Sequence, residues 1–575
     1  MEKVKLLPYG IMDFEDLRRK NRYFVDKTMY IPKMECVGDF LFIIRPRRFG
    51  KSMFLTMLAD YYDIEKQDCF DELFADTWIH DNPTKEKGQY QVLALDFSKA
   101  SSGNIESLQN EFHEYCSYML IGFAKKYAKY YEPGFVEKLE SIHPKSILQM
   151  TYLFNEAKRL GHQLYLIIDE YDNFTNDVLN EHGEKVYHAL THASGFYREI
   201  FKKFKGSFQR ILMMGVSPVT LDDLTSGFNI ARNITADPRF NMMLGFSETD
   251  VREMIRYYQS AGIITADEDS LIEDMKPWYD NYCFAEDSYG RDPSMFNCNM
   301  VLHYLNTLCE TGKKPKEMLD KNTRTDYNKL RKLVELDTFG DDQHSYLRRI
   351  ITDGTITAKL ESSFPAESML EPDNFISLLY YYGMLTITGS RGSMLKLGIP
   401  NNSVRSQYYD YILKEFQRVS PVSLQWIREL IMGMAYEGRW RDLLTAIAEK
   451  YKGQSSVRSA IEGERNVQDY FTAYLGLLPL YIMAPEVELN HGYCDLFLLP
   501  DLKLYPDVEH SYIIELKYLK AIDGDDKAAK QWTEAVEQIH KYAQGAKVRL
   551  MAGTTTLHCI IIQMRDYDLV RIDEV

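Results

Sequence analysis

The chain has 575 residues, of which 45% are hydrophobic and 26% charged, and its formal net charge is −16. This length predicts about three or four domains. The net negative charge disfavours a protein that coats nucleic acid through bulk charge. A local basic groove is still compatible with this charge, because phosphate contacts are local. No apolar run of roughly 18 residues is present, and no basic N-terminal region precedes an apolar one. We therefore expect no membrane contact, no secretion signal and a cytoplasmic location. The eight cysteines form no CxxC pair, which favours reduced thiols over a zinc site or disulfides.

Apolar strands alternate with helices over the first 245 residues. Strands are predicted at 40–46, 90–98, 162–174 and 210–219, with a helix over KSMFLTMLADYY, residues 51–62. Continuous apolar runs separated by helices are typical of a parallel sheet that is covered on both faces. We therefore predict an α/β domain over 1–245.

The first of these strands leads into a phosphate-binding motif. The pattern G-x-x-x-x-G-K-[ST] folds into a nest of backbone N–H groups around phosphates, with the lysine on the outer phosphates and the hydroxyl on Mg²⁺. Here the pattern is RPRRFGKS, from Arg45 to Ser52, and Arg45 replaces its first glycine. A strand precedes the motif and a helix follows it, as the mechanism requires. Lys51 and Ser52 are therefore predicted to bind a nucleoside triphosphate and its Mg²⁺.

Two acids end the strand LYLIIDE. We expect Asp169 to hold the Mg²⁺ and Glu170 to polarise the attacking water. A strand-end carboxylate pair with no such role is the alternative, which becomes weak once the GKS turn upstream is considered. Ser217, at the end of the fourth strand, is predicted to be either a γ-phosphate sensor or a plain turn residue before Pro218.

Three arginines are candidates for neutralising phosphate charge, in cis or in trans. They are Arg47, Arg48 and Arg232. The sequence does not distinguish between these two arrangements.

The pattern changes near residue 246. SETDVREMIRYYQSAG begins with a serine followed three residues later by Asp250, a pattern typical of a helix-capping box. Helical patterns continue to about 450, broken by the β-like pieces GMLTITG and MLKLGIP. We therefore predict a helical lid over 246–450 with a winged-helix element.

The last domain, 451–575, is predicted to be a mixed α/β core. The expected elements are a helix over 466–482, strands over 486–490, 493–500 and 512–519, a helix over 527–543, and strands over VRLMAG (548–553) and LHCIIIQMR (557–565).

Nuclease chemistry needs carboxylates that converge on Mg²⁺ beside the scissile phosphate, together with a lysine. Asp495 lies on one predicted strand, and Glu515 and Lys517 lie on the next, where two-residue spacing places them on one face. Carboxylates in apolar strands are costly unless they bind metal or pair with a cation. We predict Asp495 and Glu515 as metal ligands and Lys517 as catalytic. The alternative is an ion pair in an inactive domain.

Two further polar groups are candidates for this site. Glu464, at the start of the preceding helix, is predicted as a further catalytic acid. Gln538, on the following helix, is a candidate polar neighbour.

Six motifs carry a resemblance to a known family: FVDKTMYI (24–31), RPRRFGKS, LIIDEYDNF (166–174), GVSPV (215–219), GFSETDV (245–251) and WYDNYCF (278–284). They resemble a predicted AAA-type ATPase family that is common in Bacteroidetes and Firmicutes and usually carries a C-terminal PD-(D/E)XK nuclease-like domain. The resemblance implies an AAA/STAND-like P-loop NTPase fold, a restriction-endonuclease-like C-terminal domain, and ATP and Mg²⁺ as cofactors. It implies that Arg48, Phe49, Gly50, Lys51, Ser52 and Asp169 bind the nucleotide.

The C-terminal segments PEVELNHGYCDLFLLP and YIIELKYLK are similar to the nuclease half of this family. That similarity implies that Asp495, Glu515 and Lys517 form the nuclease core. Glu464 matches a family position that usually belongs to Glu-x-x-x-His, and Gln468 stands here in place of the histidine. Glu486 and Glu488 are alternative acids.

Two hypotheses follow. The first is an ATPase whose nucleotide state controls an Mg²⁺-dependent nuclease acting on DNA or RNA, as a homo-oligomer, in phage defence or mobile-element biology. The second is an ATP-dependent signalling or assembly switch with an inactive nuclease-like domain that binds nucleic acid or protein. A motor that translocates on DNA is a third alternative, which requires an arginine finger across a ring interface.

Overall fold

A computed structural model describes residues 4–100, 107–182, 186, 195–219, 231–320, 346–409, 423–452, 464–478, 480–489, 492–500, 502 and 505–575. The chain divides into two compact units, Met1–Lys332 with Ile356–Asn401, and Leu333–Thr355 with Asn402–Val575. The domain boundaries near 245 and 450 stay predictions.

The helices, in chain order, are α1 (Phe14–Arg19), α2 (Ile31–Val37), α3 (Lys51–Tyr62), α4 (Phe70–Leu73), α5 (Trp78–Asp81), α6 (Leu108–Lys126), α7 (Phe135–Ile142), α8 (Ser146–Leu160), α9 (Asn173–His182), α10 (Phe196–Phe204), α11 (Glu248–Ser260), α12 (Glu268–Tyr279), α13 (Cys298–Thr311), α14 (Tyr346–Asp353), α15 (Pro372–Tyr381), α16 (Leu424–Glu437), α17 (Trp440–Lys452), α18 (Glu464–Leu475), α19 (Asp525–Ala543) and α20 (Ala546–Ala552). No helix in the described ranges has the length and apolarity that crossing a membrane requires.

A five-stranded parallel sheet forms the centre of the first unit. Its strands are β1 (Phe40–Ile44), β2 (Gln91–Asp96), β3 (Leu164–Asp169), β4 (Arg210–Gly215) and β5 (Arg232–Asn233), in the order β2-β3-β4-β1-β5. The apolar runs form strands because nearly all of their residues are buried. The register pairs Ile44 with Gly215, and Asp96 with Asp169, so the carboxyl ends lie along one edge. The predicted parallel sheet is confirmed.

Smaller elements follow the parallel sheet. They are the two-stranded β6 (Phe246–Ser247) with β7 (Met295–Phe296), and the three-stranded β8 (Thr355–Ala358), β9 (Thr386–Arg391) and β10 (Met394–Gly398), in the order β8-β10-β9. Helix α11 begins with the predicted capping box between Ser247 and Asp250. The two predicted β-like pieces are the antiparallel hairpin β9–β10, and the winged-helix assignment stays a prediction.

The second unit contains a mixed five-stranded sheet. Its strands are β11 (Tyr481–Leu489), β12 (Gly492–Pro500), β13 (His510–Leu519), β14 (Thr556–Arg565) and β15 (Asp568–Glu574), in chain order across the sheet. In this sheet only β13 and β14 run parallel, and α19 and α20 lie between them in the chain. Helix α19 packs on one face of the sheet, where Trp532 and Ile539 join a buried cluster with Ile513 and Ile561. Helices α16 and α17 also contact this sheet.

Two secondary-structure predictions for the second unit are wrong. The segment VRLMAG belongs to α20 and not to a strand, because Val548 and Ala552 are buried at helical spacing while Leu550 is 83% exposed. The predicted helix over 466–482 stops at Leu475, and β11 begins at Tyr481. Strand β15 was not predicted.

Candidate functional site

The loop between β1 and α3 turns sharply at two left-handed residues. Arg48 has φ 67° and Gly50 has φ 84°, and alternating conformations of this kind direct successive N–H groups into one concavity. Phe49 between them is 1% exposed, and its ring lies edge-on to Tyr282 and Phe284 at centroid distances of 4.9 and 5.3 Å. Phe49 is therefore anchored by its side chain, which leaves only its main chain for a ligand.

Arg45, which replaces the usual glycine, is a structural residue. Its side chain is fully buried and its guanidinium donates to the carbonyls of Ile44, Thr235 and Phe240 at 2.9, 2.7 and 3.1 Å. The guanidinium also lies 4.4 Å from the centroid of the Phe284 ring. Burial lowers the pKa of Arg45 to about 10. Arg45 thus connects the start of the loop to distant chain segments.

Lys51, Ser52 and Asp169 meet at the carboxyl edge of the sheet. Lys51 Nζ donates to the carbonyls of Arg45 and Pro46 at 3.1 and 3.0 Å, and burial lowers its pKa. Ser52 Oγ donates to Asp169 Oδ2 at 2.5 Å. Burial raises the pKa of Asp169, although the Ser52 hydrogen bond and the Lys51 charge oppose this rise. The structure therefore brings together the lysine, hydroxyl and first acid that the motif predicts.

Glu170 follows Asp169 in a left-handed conformation, with φ 48°. Burial raises the pKa of its carboxyl, while Lys51 and Arg47 oppose this rise. Its side chain borders a small cavity whose lining residues are Arg47, Glu170, Asp172, Asn173, Asn176, Val216 and Tyr382.

The candidate arginines occupy different places. Arg47 lines the cavity beside Glu170, and its Nη2 lies 3.4 Å from Asn173 Oδ1. Arg48 Nη1 lies 3.8 Å from Asp320 Oδ2. Arg232 is exposed and pairs with Leu41 near the amino end of β1, away from the loop. Within one chain, Arg47 is therefore the arginine placed beside the second acid.

Ser217 forms a turn just after β4, and its role as a γ-phosphate sensor stays a prediction. Its side chain is fully buried and its hydroxyl oxygen accepts the Val219 N–H at 3.3 Å. Asp172, which sequence reasoning passed over, accepts the N–H groups of Val216 and Ser217. The only signal in the sequence was its position two residues after Glu170.

These residues fit ATP and Mg²⁺. The loop offers a concave main chain, the buried Lys51 supplies a positive charge, and the pair Ser52–Asp169 supplies oxygen ligands of the kind that Mg²⁺ prefers.

A second site lies where β12 and β13 diverge. The last ladder pair is Leu496 with Ile514, so Asp495 and Glu515 are the next residues on the two strands. Asp495 Oδ2 accepts the Leu516 N–H at 2.7 Å, and Lys517 Nζ lies 2.8 Å from Glu515 Oε1. The three predicted residues therefore converge at one place.

Burial and neighbouring charges together affect the pKa of Glu515. Glu515 is 2% exposed, and burial together with the Asp495 charge raises its pKa to about 7, while Lys517 opposes this rise. Glu515 Oε2 is buried and has no hydrogen-bond donor among the residues that the structure describes. A buried acceptor of this kind beside a second carboxylate fits a divalent cation.

The other predicted groups contribute less. Gln468 Nε2 donates to the Asp495 carbonyl at 2.8 Å, so it supports the strand and not the carboxylate. Gln538 is exposed. The side chains of Glu464, Glu486 and Glu488 lie outside the described residues, although Glu464 begins α18. Their roles stay predictions.

Two glutamines beside Lys517 were missed. Gln563 is the register partner of Lys517 on β14, and its Nε2 donates to Gln531 Oε1 and to the Ala528 carbonyl, each at 3.0 Å. Gln531 lies two helical turns before Gln538 on α19. In the described part of the chain, no group of three or more His, Cys, Asp or Glu side chains has a metal-binding arrangement.

Comparisons with known proteins separate the same two regions. Residues 8–225 match the family described as Predicted AAA-ATPase, and residues 462–574 match the PD-(D/E)XK nuclease superfamily. An uncharacterized protein in the vnfD 5′ region of Azotobacter chroococcum mcd 1 is 26% identical over 255 residues, which cover 43% of this chain and 44% of that relative. The chain thus matches less than half the length of this curated relative.

Among solved structures, the Aeropyrum pernix ORC2 protein in ADPNP–ADP complexes is 11% identical, with a TM-score of 0.31, and the match covers 68% of this chain and 92% of that chain. The two family matches confirm the predicted pairing of an AAA-type ATPase domain with a nuclease-like domain.

Proposed function

We propose that this chain, in which an AAA-type ATPase domain precedes a PD-(D/E)XK nuclease-like domain, hydrolyses ATP and uses its nucleotide state to control Mg²⁺-dependent cleavage of DNA or RNA. The observation that carries the cleavage step is the convergence of Asp495, Glu515 and Lys517 at the divergence of two strands. ATP hydrolysis is supported by the contact between Ser52 and Asp169.

At the ATP site, each residue has a separate task. Lys51 binds the outer phosphates, and Ser52 with Asp169 holds the Mg²⁺ that neutralises phosphate charge. Glu170 polarises the attacking water as a general base, and burial raises the pKa of its carboxyl. Arg47, on the same cavity, compensates negative charge beside Glu170.

At the nuclease site, Asp495 and Glu515 hold the cation. A divalent cation there supplies charge stabilisation and an activated water when it is bound. Lys517 keeps Glu515 oriented through the 2.8 Å contact and offers its positive charge to the scissile phosphate. Gln468 fixes the main chain of Asp495 from the neighbouring helix.

Cleavage assays with the full chain test this proposal. Plasmid, single-stranded DNA and RNA are incubated with Mg²⁺ or Mn²⁺, with and without ATP. We expect cleavage of at least one substrate, a change in its rate on adding ATP, and loss of cleavage in Glu515→Ala. Cleavage that survives in Glu515→Ala would rule out the nuclease assignment. A cleavage rate that does not change on adding ATP would rule out control of cleavage by the nucleotide state.

One observation favours the second candidate, an ATP-dependent switch whose nuclease-like domain binds without cutting. Among the described side chains this site has two carboxylates and an ion pair between Glu515 and Lys517, which is also the arrangement of an inactive domain. Retained nucleic-acid binding without cleavage in any metal would support this candidate.

The biological setting stays a prediction from the sequence. It comprises a cytoplasmic location, assembly into a homo-oligomer, and a role in phage defence or mobile-element biology. Sedimentation with and without ATP tests the assembly.

A further inference from the structure

Asp172 connects the end of β3 to the end of β4 through hydrogen bonds. It is 3% exposed, and its Oδ1 accepts the Val216 N–H at 3.1 Å. Its Oδ2 accepts the Ser217 N–H at 2.7 Å and the Asn176 Nδ2–H at 2.8 Å. Buried backbone N–H groups need acceptors, so this carboxylate satisfies both of them where the strand ladder has ended.

Tyr171 supports the same connection. Its N–H donates to the Met214 carbonyl at 3.2 Å and its hydroxyl donates to the Ser217 carbonyl at 2.8 Å. A Cβ atom added to Gly215 would lie 2.3 Å from Asp172 Oδ1 and 2.4 Å from Tyr171 Cε1. The two side chains therefore close over the end of β4, and this packing needs a glycine there.

Glu170 is the residue held by this arrangement. Its left-handed φ of 48° is costly for a residue with a side chain and persists only where neighbours fix it. Its N–H bonds to Asp169 Oδ1 at 2.9 Å, and its carbonyl accepts the Asn173 N–H at 2.9 Å. The next two residues, Tyr171 and Asp172, form hydrogen bonds with the end of β4 and the residues after it. The main chain on both sides of Glu170 is therefore held in place.

We propose that Asp172 is the positioning residue for Glu170: by binding the N–H groups of Val216 and Ser217, it sets the direction in which the Glu170 carboxylate enters the cavity. This inference rests on the proposed ATPase function. A small misplacement of a general base lowers the rate of the chemical step without a matching loss of substrate binding. In this role Asp172 acts through Glu170.

The substitution Asp172→Asn tests the hydrogen bonds of Asp172 while it keeps the volume of the side chain. All three partners of Asp172 are N–H donors, and an asparagine would place its own NH₂ group against one of them. Asp172→Asn therefore keeps volume and loses one acceptor. Thr175→Val is a matched control, because Thr175 lies on α9, which begins just after Asp172, and its hydroxyl donates to the Asp172 main-chain carbonyl at 3.1 Å.

The experiment measures Mg²⁺-dependent ATP hydrolysis and ATP affinity in the full chain. For Asp172→Asn we expect kcat to fall at least about 30-fold while the Kd for ATP changes less than about threefold, and for Thr175→Val we expect kcat within about threefold of wild type. Tyr171→Phe, which removes one hydroxyl and little volume, should lower kcat by a smaller factor. It also serves as the test if Asp172→Asn does not fold.

A double-mutant cycle distinguishes positioning from a general structural role. In a Glu170→Gln background, Asp172→Asn should lower the residual rate no further, because its effect passes through Glu170. An equal loss in both backgrounds, or wild-type kcat in Asp172→Asn and Tyr171→Phe, would overturn the inference. Absence of ATP hydrolysis in the wild type would instead overturn the proposed ATPase function.

Discussion

The Ser52 hydroxyl donates to Asp169 Oδ2 at 2.5 Å across 117 positions of the chain. This contact joins α3, the helix that follows β1, to the end of β3. In the sheet, β4 lies between β1 and β3. Because the hydroxyl and the carboxylate already face each other, the oxygen ligands expected for Mg²⁺ lie together in the fold.

Lys51→Ala should abolish ATP binding. The Lys51 ammonium is buried at the loop, where it donates to the carbonyls of Arg45 and Pro46, so alanine removes the group that attracts the outer phosphates. We expect the Kd for ATP, measured by calorimetry, to rise at least about 100-fold. Lys20→Ala, at an exposed lysine paired with Asp16, is the control and should leave the Kd unchanged.

Glu170→Gln should bind ATP and fail to hydrolyse it. Glutamine keeps the shape of Glu170 but cannot accept a proton from water, so kcat should fall at least about 100-fold with little change in Kd. Phosphate release measures the rate. Glu132→Gln, at a side chain that is 67% exposed, is the control. Normal hydrolysis by Glu170→Gln would remove Glu170 from its assigned role.

Gly383→Ala should weaken ATP binding through Pro46. Gly383 has φ 78°, and an added Cβ would lie 2.8 Å from Pro46 Cβ, next to the carbonyl that Lys51 contacts. Gly392→Ala is a matched control, because Gly392 has φ 65° and nothing within 4 Å of its added Cβ. Both variants carry the cost of about 1–2 kcal/mol for a left-handed residue.

Only Gly383→Ala displaces the phosphate-binding loop. We expect its Kd for ATP to rise about tenfold, while that of Gly392→Ala changes less than about twofold. Equal affinities in the two variants would contradict a link between this turn and the nucleotide site.

Glu515→Gln should become more stable relative to wild type as the pH rises. Burial and Asp495 raise the pKa of Glu515 from its ordinary 4.5 to about 7. The contribution of Glu515 to folding stability is thus fully present below the unfolded pKa and is lost as the pH rises through about 7. Glutamine imitates the protonated acid and avoids this loss.

Melting temperatures at about pH 5 and about pH 8 provide the measurement. The difference between Glu515→Gln and wild type should move in favour of the variant at the higher pH. Glu537→Gln, at an exposed residue of α19, should show no such trend. A pH-independent difference would show that Glu515 is not protonated near neutrality in the folded chain.

The parts of the fold that the sequence predicted well are those with local signals. The apolar run before Arg45 and the run that ends at Asp169 predicted strands of one parallel sheet, because continuous apolar runs separated by helices are typical of such sheets. VRLMAG was mistaken for a strand because a short apolar run has no decisive periodicity. Only its burial pattern, with Leu550 exposed, indicates a helix.

The roles that escaped the sequence depend on distant partners. In the sequence, Arg45 only departs from the first glycine of the phosphate-binding pattern. In the structure it binds the carbonyls of Thr235 and Phe240, about 190 positions away. Asp172 serves two N–H groups more than 40 positions further on. The raised pKa of Glu515 likewise follows from burial, which no spacing rule provides.

The order of the strands also has a consequence for how this chain is synthesised. Strand β4 lies between β3 and β1, although it follows both in the sequence. A nascent chain that has reached only the end of β3 therefore lacks the strand that links Asp169 to the loop before Ser52. We therefore expect the ATP site to form only once β4 is available to the folding chain, so that nucleotide stabilises no shorter translation intermediate.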